Sequence, residues 1–299
     1  MKISGFTYVR NGFEYQYPFI ASIESLLPIV DELIVVVGDS SDGTKKAILD
    51  LNENKIKIID SIWDNSLRYG GELFAEQANI GIRHSSGDWL IHLQADEVLM
   101  EGCRADLLQQ IHMGNSSEKI DGILFPFLHF WGDYNHVRNT RKTHRFEIRA
   151  FKNNRNILSY RDSQGFRKYG KKRLGEKLKV IKAKTSIFHY SYSRNPILMK
   201  KKANYFKRFW HSDKWIKRET NDDPFDFNAV DKLDLYNGPH PKFMKKVILK
   251  KDWVFNYKPS NLHLNFKYRA LNIIEKITGY RLFEYKNYNL IKISKRDTN

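Results

Sequence analysis

Apolar residues in the first hundred positions recur with two periods. Ile3 to Val9 reads as a short strand ending in the turn Arg10-Asn11-Gly12. Apolar positions 19, 20, 23, 26 and 27 then follow helical spacing until Pro28 closes the pattern. Glu32-Leu33-Ile34-Val35-Val36-Val37 is β-branched and apolar on both faces, as the central strand of a parallel sheet requires. The loop Gly38 to Thr44 comes next, with Ser41 or Asp42 placed to cap a helix through Leu51. Ile56, Ile58 and Ile59 give a third strand, Glu72 to Arg83 a helix, and Trp89 to Leu93 a fourth strand. This βαβαβ order predicts an open α/β sheet whose ligands sit beyond the C-terminal ends of the strands. Two polar clusters, Asp39 to Thr44 and Gln94 to Glu97, follow such ends and should therefore lie near one another.

Farther along, Ile123 to Leu128 has strand length, and Arg145 to Arg149 alternates as a strand does. Residues 195–218 read as a helix with Met199, Ala203, Phe206 and Trp210 on one face and lysines on the other. Leu262 to Lys292 has similar character, with Leu271, Ile274 and Ile277 between basic residues. Basic amphipathic helices of this kind suit contact with an anionic membrane face, and equally occur in soluble proteins. No run of about 18 apolar residues exists to span a bilayer. The start of the sequence lacks the apolar run and cleavage site of a signal peptide. A cytoplasmic protein, with possible peripheral contact at the inner face of the membrane, is the expectation.

Charge changes the picture more than composition does. The chain has 299 residues, 41% of them apolar, and a formal net charge of +17. Disorder and collagen-like structure are excluded, and the single cysteine, Cys103, excludes an intrachain disulfide framework. Residues 1–100 hold 8 basic and 15 acidic residues, whereas residues 138–218 hold 26 basic and 4 acidic ones. The basic middle suits an anionic partner, or is simply a solvated lysine-rich surface.

Neither a P-loop nor G-x-G-x-x-G is present. Asp39 at a strand end can accept hydrogen bonds from a nucleobase or ribose, or can serve only its own turn. Asp96 and Glu97 follow a strand that reads as buried, where acids need a compensating cation. A divalent ion shared with a ligand's phosphates would supply it. The other reading is a cap pair ahead of a helix over Val98 to His112.

Val9-Arg10-Asn11, Ile34 to Thr44, and Gly87-Asp88-Trp89-Leu90 leading to Gln94-Ala95-Asp96-Glu97 together resemble glycosyltransferase family 2 over about residues 1–110. Gly165-Phe166-Arg167, His189 to Tyr192 and Glu284 to Tyr288 resemble a bacterial branch related to lipopolysaccharide-core glucosyltransferases. The resemblance implies an inverting, nucleotide-sugar-dependent enzyme of the GT-A fold. The sheet would be Rossmann-like, with a nucleotide-sugar half over residues 1–112, a basic acceptor half over 113–255 and a helical extension over 256–299. Val9, Arg10 and Asn11 would line the base and ribose pocket with Asp39 nearby, in a family whose usual uracil-contacting Asp aligns with Val37. Gln94 and Ala95 stand in the first two positions of the family's Asp-x-Asp motif, leaving Asp96 as the carboxylate on Mn²⁺ or Mg²⁺. His189 would be a further metal ligand.

Inverting transfer also needs a carboxylate to take the acceptor's proton. Asp162 lies in the polar loop Ser159 to Gly165, where the resemblance places a base-bearing loop. Glu147, between Phe146 and Ile148 with arginines at 145 and 149, is the second candidate. The function this implies is transfer of a sugar from a nucleotide donor, a UDP-sugar first, to a hydroxyl of a glycan or glycolipid. Nucleic acid is not expected as a partner. The alternatives are a nucleic-acid-binding protein using the basic middle, which lacks zinc-finger spacing and RNP-like motifs, or a protein that binds nucleotide sugar without turnover.

Overall fold

The computed structural model describes residues 1–291 apart from 65, 69, 171–173, 222 and 259–265. Strands β1 (Ile3–Val9), β2 (Glu32–Val37), β3 (Ile56–Asp60) and β4 (Trp89–His92) lie parallel in the order β3-β2-β1-β4. Helices α1 (Phe19–Leu26), α2 (Thr44–Leu49) and α3 (Glu72–His84) connect them. β2 buries both faces: Leu33, Val35 and Val37 pack with Phe19, Ile23 and Leu26 of α1, while Ile34 and Val36 pack with Leu73, Phe74 and Ala78 of α3. That two-sided burial explains its unbroken apolar run. Val9 pairs with Val37, so the C-terminal ends of β1 and β2 lie level with each other.

The chain continues through β5 (Glu97–Leu99), α4 (Arg104–Asn115), β6 (Gly122–Trp131), β7 (His136–Val137) and β8 (Phe146–Lys152). Short β9 (Ile157–Ser159) and β10 (Phe166–Lys168) precede β11 (Glu176–Lys182) and β12 (Ile187–Tyr192). β8 is antiparallel to both β4 and β6, so one sheet runs past residue 112 from the first half into the second. β12 lies between β6 and β5, with His189 level with His129 on one side and Glu97 on the other. The helix over Val98 to His112 is corrected by this pairing. Glu97 to Leu99 are claimed by β12, and α4 begins only after a turn in which Gly102 has φ +88°.

The last third comprises α5 (Pro196–Lys207), α6 (Asp213–Glu219), β13 (Asp234–Leu235), α7 (Lys245–Leu249), α8 (Phe266–Thr278) and β14 (Tyr288–Leu290). The single helix over 195–218 is thus two. The Ser212 side chain accepts from the Trp215 amide and starts a new helix. The expected amphipathic segment Leu262 to Lys292 contributes α8 and β14, and its residues 262–265 and 292 lie outside the described residues. The result is a mixed α/β molecule around one large sheet, as the GT-A expectation from the sequence requires.

Candidate active site

Val9 and Arg10 at the end of β1, with Gln94-Ala95-Asp96 after β4, line a cavity of about 240 Å³. Trp63, Asp162 and Lys202 also line it. Arg10 is held in place from behind. Its Nη2 donates to Asp39 Oδ2 at 3.0 Å, its Nε lies 2.9 Å from Oδ1, and its Nη1 donates to the Tyr205 hydroxyl at 2.7 Å. Asp39 also accepts the Trp63 amide at 3.2 Å. Asp39 and Asn11 therefore stand outside the cavity lining and shape it indirectly. Asn11, at φ +51°, accepts the Ser41 amide through Oδ1 and forms the turn. A Cβ at Gly38 would lie 2.7 Å from Trp63 Nε1 and 2.9 Å from Arg10 Cβ, so only glycine lets these side chains close together.

The turn carrying Asp96 is pinned by an interior ion pair. Arg149 donates to both Glu97 oxygens at 2.7 Å, and Glu97 Oε2 also accepts the Gln94 amide at 3.1 Å. Both side chains are buried, and the fork-on-fork geometry offsets their desolvation. Glu97 is thus neither a cap nor a cavity residue.

Asp96 is buried among cations. Its Oδ2 lies 3.4 Å from Lys202 Nζ and 3.7 Å from Arg194 Nη2, while its Oδ1 lies 3.6 Å from His189 Nε2. Burial alone would raise its pKa, but Lys202, His189 and Arg194 outweigh it and hold the carboxyl well below the usual range. Burial, reinforced by Arg194, lowers the Lys202 ammonium to about 7, with Asp96 opposing.

The hydrogen-bond pattern also orients His189. His129 Nε2 sits 2.7 Å from the His144 carbonyl and must donate to it. Burial, first, and His189 lower the His129 pKa to about 3, so His129 is neutral and its Nδ1 is an acceptor. His189 Nδ1, 2.8 Å away, then donates. That leaves His189 Nε2 facing the Asp96 carboxylate. Among the described residues no group of three or more His, Cys, Asp or Glu side chains could hold a metal ion. The nitrogen–oxygen pair of His189 and Asp96 does fit an ion that takes its other ligands from a diphosphate and water, as Mg²⁺ and Mn²⁺ do.

Asp162 lies in the turn between β9 and β10, where Arg161, Ser163 and Gly165 all have positive φ. Its Oδ1 is buried without a hydrogen-bond partner, and burial raises its pKa. Together with Gln94 it borders both the first cavity and a second of about 630 Å³. Glu147 on β8 lines the second cavity alone. Arg141, Lys142, Lys267 and Tyr285 give that cavity a polar, mostly basic wall.

The pattern of glycosyl transferase family 2 matches residues 9–192, more than half of the chain. The chain belongs to that family. Solved structures similar to it include S. aureus TarS 1-349 in complex with UDP (13% identity, 51% of this chain and 47% of that one, TM-score 0.35). A Pyrobaculum calidifontis mannosyltransferase, PcManGT, in complex with GDP-Man and Mn²⁺ is 17% identical over 50% of this chain and 44% of that one (TM-score 0.34). Glucosyl-3-phosphoglycerate synthase from Mycobacterium tuberculosis, in complex with Mn²⁺, UDP and phosphoglyceric acid, is 18% identical over 43% of each chain (TM-score 0.30). The chain spans less than half the length of these three. No curated protein sequence matches it.

Around this candidate site, sequence reasoning missed Lys202, Arg149, Arg194 and Trp63. Lys202 had a readable signal, since it falls three residues after Met199 and four before Phe206, on the apolar face of α5. Trp210, expected to pack on that face, is instead exposed and borders the first cavity. Arg194 gave no local signal. It is fully buried, with its guanidinium over the Tyr17 ring.

Proposed function

We propose that this chain transfers a sugar, with inversion, from a nucleotide-sugar donor to a hydroxyl of a glycan or glycolipid. The donor occupies the smaller cavity and the acceptor the larger. The observation that carries this reading is the position of Asp162 between the two cavities, with an unpartnered buried carboxylate oxygen. The acceptor oxygen attacks the anomeric carbon, its proton passes to Asp162, and the bond to the departing diphosphate breaks. Glu147 is the second candidate for the proton, set back within the acceptor cavity.

Val9 and Arg10 border the base and ribose, with Arg10 and Trp63 forming a cationic and aromatic wall. Gln94 offers an amide to a ribose or sugar hydroxyl. Lys202 faces the departing diphosphate from α5. Asp96 Oδ1 and His189 Nε2 would hold a divalent ion, Mn²⁺ or Mg²⁺, which when bound acts as a Lewis acid on the diphosphate. A UDP-sugar donor and an acceptor of the lipopolysaccharide-core type follow from the family branch that the sequence resembles.

Thermal unfolding with a panel of UDP- and GDP-sugars, in Mn²⁺, Mg²⁺ or chelator, tests this reading. A ligand that binds only the folded chain raises its melting temperature by mass action. At least one sugar nucleotide is expected to do so, more strongly with metal than with chelator. No shift with any donor would overturn the reading, and an equal shift in chelator would remove the ion from Asp96 and His189.

A further inference from the structure

Helix α8 packs with its polar side inward. Glu275 accepts from Arg141 at 2.7 Å and from Arg281 at 2.8 Å. Tyr268 and Leu271, on the same side, line the larger cavity. The opposite side is apolar and faces water: Phe266, Ile273 and Ile277 are 87%, 60% and 78% exposed. Their spacing of seven and four residues puts them in one stripe along the helix. Tyr280 and Phe283 continue the exposed apolar surface beyond the helix end. Lys267, which also borders the larger cavity, and Lys276 are exposed at the two edges of the stripe. No described helix is long and apolar enough to cross a membrane. Thirteen residues of helix, about 20 Å, suit a segment lying in the interface instead.

We infer that α8 docks on an anionic membrane surface through the stripe Phe266, Ile273 and Ile277, with Lys267 and Lys276 meeting lipid phosphates. An apolar stripe edged by lysines matches the acyl and headgroup layers together, whereas a protein partner would need only the stripe. The ion pairs of Glu275 fix the orientation of the helix, so docking is not free to rotate the stripe away. Because the inner side of α8 walls the larger cavity, docking through the outer side holds that cavity one helix diameter, ~10 Å, from the membrane surface. Resting on the proposed transfer reaction, the acceptor is then membrane-borne, a sugar or other hydroxyl carried on a lipid.

Co-sedimentation with vesicles tests docking without any donor or acceptor, so it stands or falls apart from the transfer reaction. The intact chain should bind vesicles containing about one-third phosphatidylglycerol at least about tenfold more tightly than pure phosphatidylcholine. Ile273→Ser with Ile277→Ser should weaken binding to the anionic vesicles by about tenfold or more, with melting temperature and solution mass unchanged. Lys276→Glu should weaken it severalfold while leaving the stripe intact. Docking is refuted if the wild type ignores anionic vesicles or if the double serine variant binds them equally. It is refuted equally if the serine changes dissociate an oligomer in light scattering, which would make the stripe a contact between copies of the chain.

Discussion

Burial pushes the Glu147 carboxyl from its ordinary 4.5 up to about 7, with Arg149 opposing and Glu97 and Asp162 adding to the rise. Between those two values the folded chain holds a proton that the unfolded chain has released. Stability therefore falls as pH rises through that window. Glu147→Gln removes the ionisable group and with it the loss. Relative to wild type, the variant should gain on the order of 1–3 kcal/mol between pH 5 and pH 8. Denaturation at those two pH values measures it, and a difference independent of pH would show that Glu147 ionises freely. Asp96 is the opposite case. Its cationic neighbours keep it ionised, so its contribution is present above the ordinary carboxylate pKa and disappears only in strong acid.

At the scale of elements, the turn after β4 depends on the pair of Glu97 in β5 and Arg149 in β8. Arg149→Met would leave the Glu97 carboxylate buried without its partner, at a cost of about 3–5 kcal/mol. Adding Glu97→Leu should recover part of that loss, because the stranded charge is gone. Urea denaturation of the single and double variants decides this, and a double variant no better than the single would mean the pair is not coupled. The same elements show what the sequence reveals. β2 matches its apolar run residue for residue, because a strand packed on both faces by apolar helices needs apolar side chains on each, and β1 matches the span Ile3 to Val9 expected for it. β5 was hidden because three residues carry no period, and its partner β12 lies some ninety residues away. Asp96 and Asp162 were legible as carboxylates in polar turns. Their meeting at one cavity was not, since a turn between β9 and β10 and helix α5 must both close over the ends of β1 and β4. Lys202 was overlooked because a lysine among lysines reads as surface.

For the whole molecule, four arginines of the basic middle segment are committed to internal ion pairs. Arg138 pairs with Asp231, Arg141 with Glu275, Arg145 with Glu284 and Arg149 with Glu97. The first three pairs bind the C-terminal third to the sheet, and all four withdraw arginines from any contact with a phosphate backbone. The molecule is organised around two cavities meeting at Asp162. Asp162→Asn, assayed with the sugar nucleotide that stabilises the wild type, tests that arrangement most directly. Donor affinity should stay within about twofold while turnover falls by about 10²–10⁴. Turnover close to wild type would contradict the account and remove Asp162 as the group that takes the proton.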